Sequence, residues 1–207
     1  MIAAVLTGLY IAGIHIPEGI RDRAIAIDSA DAAKIDMVDI SGPGYGLLDR
    51  INRLPVMEFY TSPDIMIAEF NEARRLMKRG EFNRAVLILN RIINSNASQV
   101  VKEKCEFLVR FIIDSDDRTY EKPDIKNIQE KPYLYRGSAF ELEGKTANVK
   151  KFNNGTGFTL MVDYDGKNFR WIAQVFSPEK NAVENGESVK VQGVYITGIV
   201  AGNKEYI

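Results

Sequence analysis

The sequence predicts an α+β protein in which a helical unit is followed by a five-stranded Greek-key β-barrel, with a β-hairpin as one reading of the N-terminus. Three observations carry this. Between residues 61 and 117, apolar side chains recur at helical spacing behind recognisable caps. From Gly137 the period changes to two, and short apolar runs alternate with glycine-containing turns. Between them, residues 118–136 are rich in charge and carry Pro123 and Pro132, the pattern of an extended linker.

Composition narrows the function classes. A chain of 207 residues allows one large domain or two small ones. With 45% hydrophobic and 27% charged residues it is an ordinary folding sequence. Twenty-seven Lys+Arg against 28 Asp+Glu leave a formal net charge of −1, so no global field steers it toward a polyanion. One cysteine excludes an internal disulfide framework and a thiolate zinc site, and one histidine excludes most metal and general-base constellations.

Residues 1–60 form an N-terminal segment. Ile2 to Ile16 are nearly all apolar, broken by Thr7, Gly8, Gly13 and His15. A spanning helix wants about 20 apolar residues, and this run is shorter. An export signal fits the length of the apolar core but lacks a preceding Lys or Arg. The third reading is a β-hairpin, because Gly8-Leu9-Tyr10-Ile11-Ala12-Gly13-Ile14 is similar to Gly193-Val194-Tyr195-Ile196-Thr197-Gly198-Ile199. Such strands would extend the C-terminal sheet, pair with another copy, or belong to the remnant of a second barrel, and exposed edges would favour self-association. Any membrane contact would run through residues 2–16, and a cytoplasmic location is ranked slightly ahead of an exported or envelope-anchored one. Further on, Ser41-Gly42-Pro43-Gly44-Tyr45-Gly46 reads as a flexible connector: it lacks the Lys-Ser/Thr of a phosphate loop, and Pro43 removes a donor.

Ser62-Pro63-Asp64 supplies a capping side chain, a proline at the first helical position and an acid in the first turn, which predicts a helix from about Pro63 to Arg79. Gly80 stops it. A second helix is expected from about Phe82 to Asn94. Asn96-Ala97-Ser98-Gln99 has the form of a capping box for a third helix, about Ala97 to Ile113, with Val101, Cys105, Leu108 and Ile112 on one stripe. Cys105 on that stripe is expected to be a small buried hydrophobe, and Asp114-Ser115-Asp116-Asp117 a solvated helix exit.

Ala73 and Leu76 in the first helix, Gly80 and Phe82 at the turn, and Ala85, Leu89 and Ile92 in the second together resemble a tetratricopeptide repeat over about fifty residues. The resemblance covers one repeat and a capping helix, without the Trp and Pro usual at the repeat's ends. It implies a groove lined by Ile67, Phe70, Arg74, Met77 and Lys78, suited to an amphipathic or acidic peptide. The competing reading places Phe70 and Met77 in the core and leaves Arg74 and Lys78 on a solvated face.

In the β module, strands are predicted over Ala139 to Phe152, Phe158 to Tyr164, Phe169 to Phe176 and Ser188 to Ile199, with Glu205-Tyr206-Ile207 as a fifth. Asp163-Tyr164-Asp165-Gly166 opens like a calcium loop but lacks the later ligands, and a hairpin explains it. Glu143-Gly144-Lys145 in the first strand, the hairpin that follows, and Val183-x-x-Gly186-x-x-Val189-x-Val191-x-Gly193 resemble an OB-fold over about seventy residues. Its ligand face would be the outer side of the second and third strands, with Thr159, Met161, Asp163, Arg170, Ile172 and Gln174 outward. Those residues make a poor stacking platform for bases, and the module carries equal numbers of basic and acidic residues.

No nucleophile–base pair, acid–base pair or metal set can be assembled from the sequence, and His15 has no identifiable partner. The expected function is therefore non-enzymatic: a binding or scaffold protein, without cofactor or metal, that takes protein or peptide partners. Oligonucleotide or oligosaccharide binding through the barrel is the alternative, and an N-terminally anchored envelope scaffold the third.

Overall fold

The computed structural model describes residues 8–10, 29–41, 46–48, 56–116, 118–178 and 183–196. The protein is α+β and divides into a helical unit and a β unit. Among the described residues, the helical unit takes 29–119 and 131–138, and the β unit takes 8–10, 120–130 and 139–196.

The helical unit contains α1 (Ser29–Met37), α2 (Pro63–Lys78), α3 (Phe82–Ile93) and α4 (Gln99–Asp114). Ser62 caps α2 as its sequence predicts, accepting from the Asp64 N–H at 3.2 Å. Gly80, at φ +74°, takes the left-handed conformation that ends α2, and the Gly80 and Glu81 amides return to the Met77 and Leu76 carbonyls. The capping box expected ahead of α4 does not form. Ser98 occupies the N-cap without a side-chain bond, and Asn96 is engaged elsewhere. Phe70, Ala73, Leu76 and Met77 of α2 interlock with Ala85, Val86, Leu89 and Ile92 of α3 and with Val101, Cys105, Leu108 and Ile112 of α4, all essentially inaccessible. Ala73 and Ala85 carry the small side chains that closely packed helices need.

Residues 118–136 are not an extended linker. They hold α5 (Ile125–Glu130) and a single 3-10 turn (Pro132–Tyr135). Asp124 accepts from the Lys126 and Asn127 amides to start α5, and Ile125 and Ile128, three apart, are buried on one side. The 3-10 turn is tied to α3: the Asn90 amide donates to the Leu134 and Arg136 carbonyls at 2.8 and 2.7 Å.

The β unit holds β1 (Gly8–Tyr10), β2 (Ala139–Phe152), β3 (Gly155–Val162), β4 (Trp171–Ser177) and β5 (Ser188–Ile196). Strands β4, β3, β2 and β5 form a curled antiparallel sheet in that order. Its inward positions are those that alternation assigns: Phe158, Leu160 and Val162 from β3, and Trp171, Ala173 and Val175 from β4, are buried. Tyr195 packs at their centre, its ring 6.1 Å from Phe140 and 6.4 Å from Trp171. Gly144 is required by proximity, since a Cβ there would lie 2.3 Å from the Met161 carbonyl oxygen on β3.

β1 runs parallel to β4 and antiparallel to β5, and so closes the sheet. Of the alternatives open for the N-terminal strands, this is extension of the C-terminal sheet. The two similar sequence segments pair with each other, Leu9 opposite Tyr195. The rest of the expected hairpin, His15, and the fifth strand expected at 205–207 lie outside the described residues.

Candidate functional site

Phe70 and Met77, two of the five residues expected to line a groove on α2, are fully buried in the helical core. The core reading wins for both because the 3.6-residue period turns them toward α3 and α4. Ile67 is half-buried against the same core, and Arg74 and Lys78 reach the end of α1. Arg74 donates from Nε to the Ile35 carbonyl at 3.2 Å and from Nη2 to the Asp36 carbonyl and carboxylate at 2.9 and 3.0 Å, while Lys78 pairs with the same carboxylate.

On the barrel, Thr159 and Gln174 lie opposite each other on β3 and β4 and are joined by a hydrogen bond at 3.2 Å. Thr159 is thereby nearly buried, Met161 and Gln174 are half-buried, and Ile172 and Arg170 are exposed. Arg170 lies 3.7 Å from Asp163. The Asp165 carboxylate accepts from the Lys167 and Asn168 amides at 2.9 and 2.7 Å, so its role is to shape the β3–β4 turn. Phe152 and Phe176 add an aromatic pair, ring centroids 6.4 Å apart, that the sequence reading left out of this face.

Among the described residues, a concave feature lined by paired polar groups lies on the helical unit. A cavity of about 340 Å³ is lined by Glu58, Phe59, Tyr60, Thr61, Ile65, Glu69, Arg91 and Lys131. Residues 57–60 precede α2, bend at Met57 and Glu58, and are fixed at both ends. The Met57 and Glu58 amides donate to the Asn94 carbonyl at the end of α3. The buried Asn96 side chain then clamps Tyr60, accepting from its N–H at 2.7 Å and donating to its carbonyl at 3.0 Å. Held in this way, Tyr60 is buried and Glu58 half-buried, while Met57 and Phe59 face out. Met57 is 67% and Phe59 68% exposed, and Ile65, in the first turn of α2, is 51% exposed.

The polar groups beneath are tied into two clusters. Glu69 accepts from the Tyr60 hydroxyl and pairs with Arg91 at 3.0 Å. Glu58 accepts from the Tyr133 hydroxyl at 2.7 Å and from Lys131 at 3.2 Å. Burial, reinforced by the Glu69 carboxylate, pushes the Tyr60 phenol far above its ordinary value. Burial and Glu58 push Tyr133 up to about 12. The Tyr133 hydroxyl, with Lys131, holds Glu58 below the usual carboxylate range. Near neutral pH, Glu58 is thus ionised, both phenols keep their protons, and each acid has a cation beside it. Such a set holds a shape and is poorly poised for proton transfer.

The sign of each shift sets a pH dependence. The stability that Glu58 contributes is present above the pKa of the unfolded carboxylate and is lost as pH falls through the lower folded value. That of Tyr133 is present below its ordinary 10.0 and is lost as pH rises through about 12. Glu58→Gln is expected to flatten the acid limb of a melting-temperature profile and to make the alkaline limb shallower, since it removes the carboxylate that adds to burial in raising Tyr133. Thermal unfolding followed by circular dichroism across pH checks both.

Among the described residues no cluster of His, Cys, Asp and Glu is arranged to hold a metal, and no helix is long and apolar enough to cross a membrane. Cys105 is buried, which pushes its thiol up and away from reactivity. The alternation Met57-Glu58-Phe59-Tyr60 was the available signal for the site, but it is only four residues long and borders the glycine-rich connector. A family described as a domain of unknown function (DUF8514) matches residues 56–109, about a quarter of the chain, which take in the segment ahead of α2 and α2 to α4 up to Val109. No curated protein and no solved structure shows a significant match to the chain.

Proposed function

We propose that this chain is a non-enzymatic binding protein whose helical unit captures a protein or peptide partner at the surface formed by Met57, Phe59 and Ile65. The observation that carries the reading is the preorganised display of Met57 and Phe59 beside a cavity whose polar groups are already paired. Exposed Met, aromatic and Arg side chains around a pocket are the composition of interface anchors. A backbone clamped before binding loses little entropy on association. The helical unit is read as tetratricopeptide-like, a reading supported by Ala73 and Ala85 buried between α2 and α3 and by the positive φ of Gly80 at their turn.

Met57→Ala with Phe59→Ala is expected to change folding stability by no more than about 0.5 kcal/mol, as for most exposed positions, while abolishing partner capture. Affinity purification of the full chain and of this variant from the same cells, with denaturant unfolding alongside, is the test. Equal recovery of the same partners by both proteins would sink the reading.

One observation favours a second activity. Phe152, Phe176 and Ile172 share the outer face of the barrel with Lys145, Lys150 and Arg170, which is more of a stacking surface than the sequence suggested. An OB-like barrel would place an oligonucleotide or oligosaccharide there. Titration of a labelled single strand at two salt concentrations decides for nucleic acid: binding that weakens steeply with salt supports it.

A further inference from the structure

α1 is attached to α2 and α4 in the manner of a bound peptide. It has nine residues, fewer than the roughly 12–15 that make an isolated helix even marginally stable in water, so docking maintains its helicity. Of its side chains only Ile35 is fully buried, and Ile40, just beyond its end, is the second anchor. Met37, between them, is 78% exposed. Val38 adds a half-buried apolar contact, and the polar attachment is aimed at the C-terminal end of α1. Arg74 takes the Ile35 and Asp36 carbonyls and the Asp36 carboxylate, Lys78 takes the same carboxylate, and Lys104 donates to the Asp39 carbonyl. Three cations from two helices thus surround the negative end of a short acidic helix, where both its dipole and its side chains attract them. The exposed parts of these contacts are individually weak and screened by salt.

We propose that residues 29–41 are a displaceable cover, and that the surface beneath them, edged by Arg74, Lys78 and Lys104, docks a short acidic helix of a protein partner that carries one aliphatic anchor in its last turn and a second just beyond its end, spaced as Ile35 and Ile40 are. The occupant's chemistry is read from the cover itself: apolar side chains for the anchor positions, a carboxylate between them for Arg74 and Lys78, and a helix C-terminus for the cations to cap. This deepens the protein-binding reading at another face of α2, and it does not depend on Met57 or Phe59 capturing anything.

The probe is a fluorescent synthetic peptide of residues 29–41, titrated against the full wild-type chain and the full-length Ile35→Asp, Ile40→Asp variant, whose cover can no longer dock. The expected result is a variant that keeps its cooperative helical unfolding and binds the peptide at least about tenfold more tightly than wild type. Binding should weaken between about 50 mM and about 500 mM salt, and a peptide carrying the same two Asp substitutions should not bind. A folded variant that ignores the peptide, or a wild type that binds it equally well, overturns the proposal. Because the variant can fail to fold, hydrogen exchange on the wild-type chain gives an independent reading. α1 amides should exchange faster than those of α2, α3 and α4, and added salt should accelerate α1 alone. Uniform protection across all four helices would make α1 a fixed part of the core and overturn the proposal. Loss of capture by the Met57 and Phe59 variant would leave this outcome unchanged, so the two readings fail separately.

Discussion

Phe70→Ala is expected to lower the stability of the helical unit by about 3–5 kcal/mol, the range for truncating a fully buried aromatic that its neighbours cannot collapse around. Phe70 is wholly inaccessible among Ala73, Met77 and the apolar faces of α3 and α4. Its ring also lies under the Arg74 guanidinium at 5.9 Å, a contact that the substitution removes together with the packing. Marginal stability makes a loss of this size a large fraction of the total. Urea unfolding followed by helical circular dichroism measures it. A loss below about 1 kcal/mol, as expected at a solvent-facing position, would return Phe70 to the groove that the repeat resemblance assigns to it.

Asn96→Ala is expected to cost about 2–4 kcal/mol, because it strands two buried backbone groups at once, the Tyr60 N–H and carbonyl, each of which is expensive to leave unpartnered. The damage would be local in a telling way. With the clamp gone, residues 57–60 lose their fixed path, and Met57 and Phe59 lose their shared direction. Partner capture should therefore fall in Asn96→Ala even at temperatures where the helices remain folded. Hydrogen exchange at residues 57–60, compared with that in α3, checks this: acceleration confined to residues 57–60 is the expected pattern.

The parts of the fold that were legible in the sequence are those governed by local rules. Ser62-Pro63-Asp64 and Gly80 bracket α2 because caps and positive-φ glycines act within one turn. The buried set of β4, and Phe158, Leu160 and Val162 of β3, follow from alternation, while the burial of Thr159 between them depends on Gln174 across the ladder. What escaped depends on partners far along the chain. Asn96 has every local credential of a cap, yet its amide serves Tyr60, 36 residues earlier. Residues 118–136 look like a linker by composition, but Asp124 and two isoleucines suffice for a helical turn and a half. The cavity draws on residues from 58 to 131, and its acids and bases read in sequence as ordinary surface charge until Tyr60 and Tyr133 are brought onto them.

The pairing of Gly8–Tyr10 with strands near the other end of the sequence has a kinetic consequence. The chain passes from β1 to the helical unit, touches the β unit again at 120–130, returns to the helical unit at 131–138 and then runs through β2 to β5, so α1 to α4 lie between β1 and the other described strands. The contacts of the helical unit are mostly between successive helices and form early, whereas closing the barrel must wait until almost the whole chain is available and carries the entropy of a very long loop. During synthesis the helical unit would thus be in place before the β unit acquires its last ladder. A fragment that starts at Ala139 would lack the strand that joins β4 to β5, leaving two sheet edges open to pair with whatever strand is nearby.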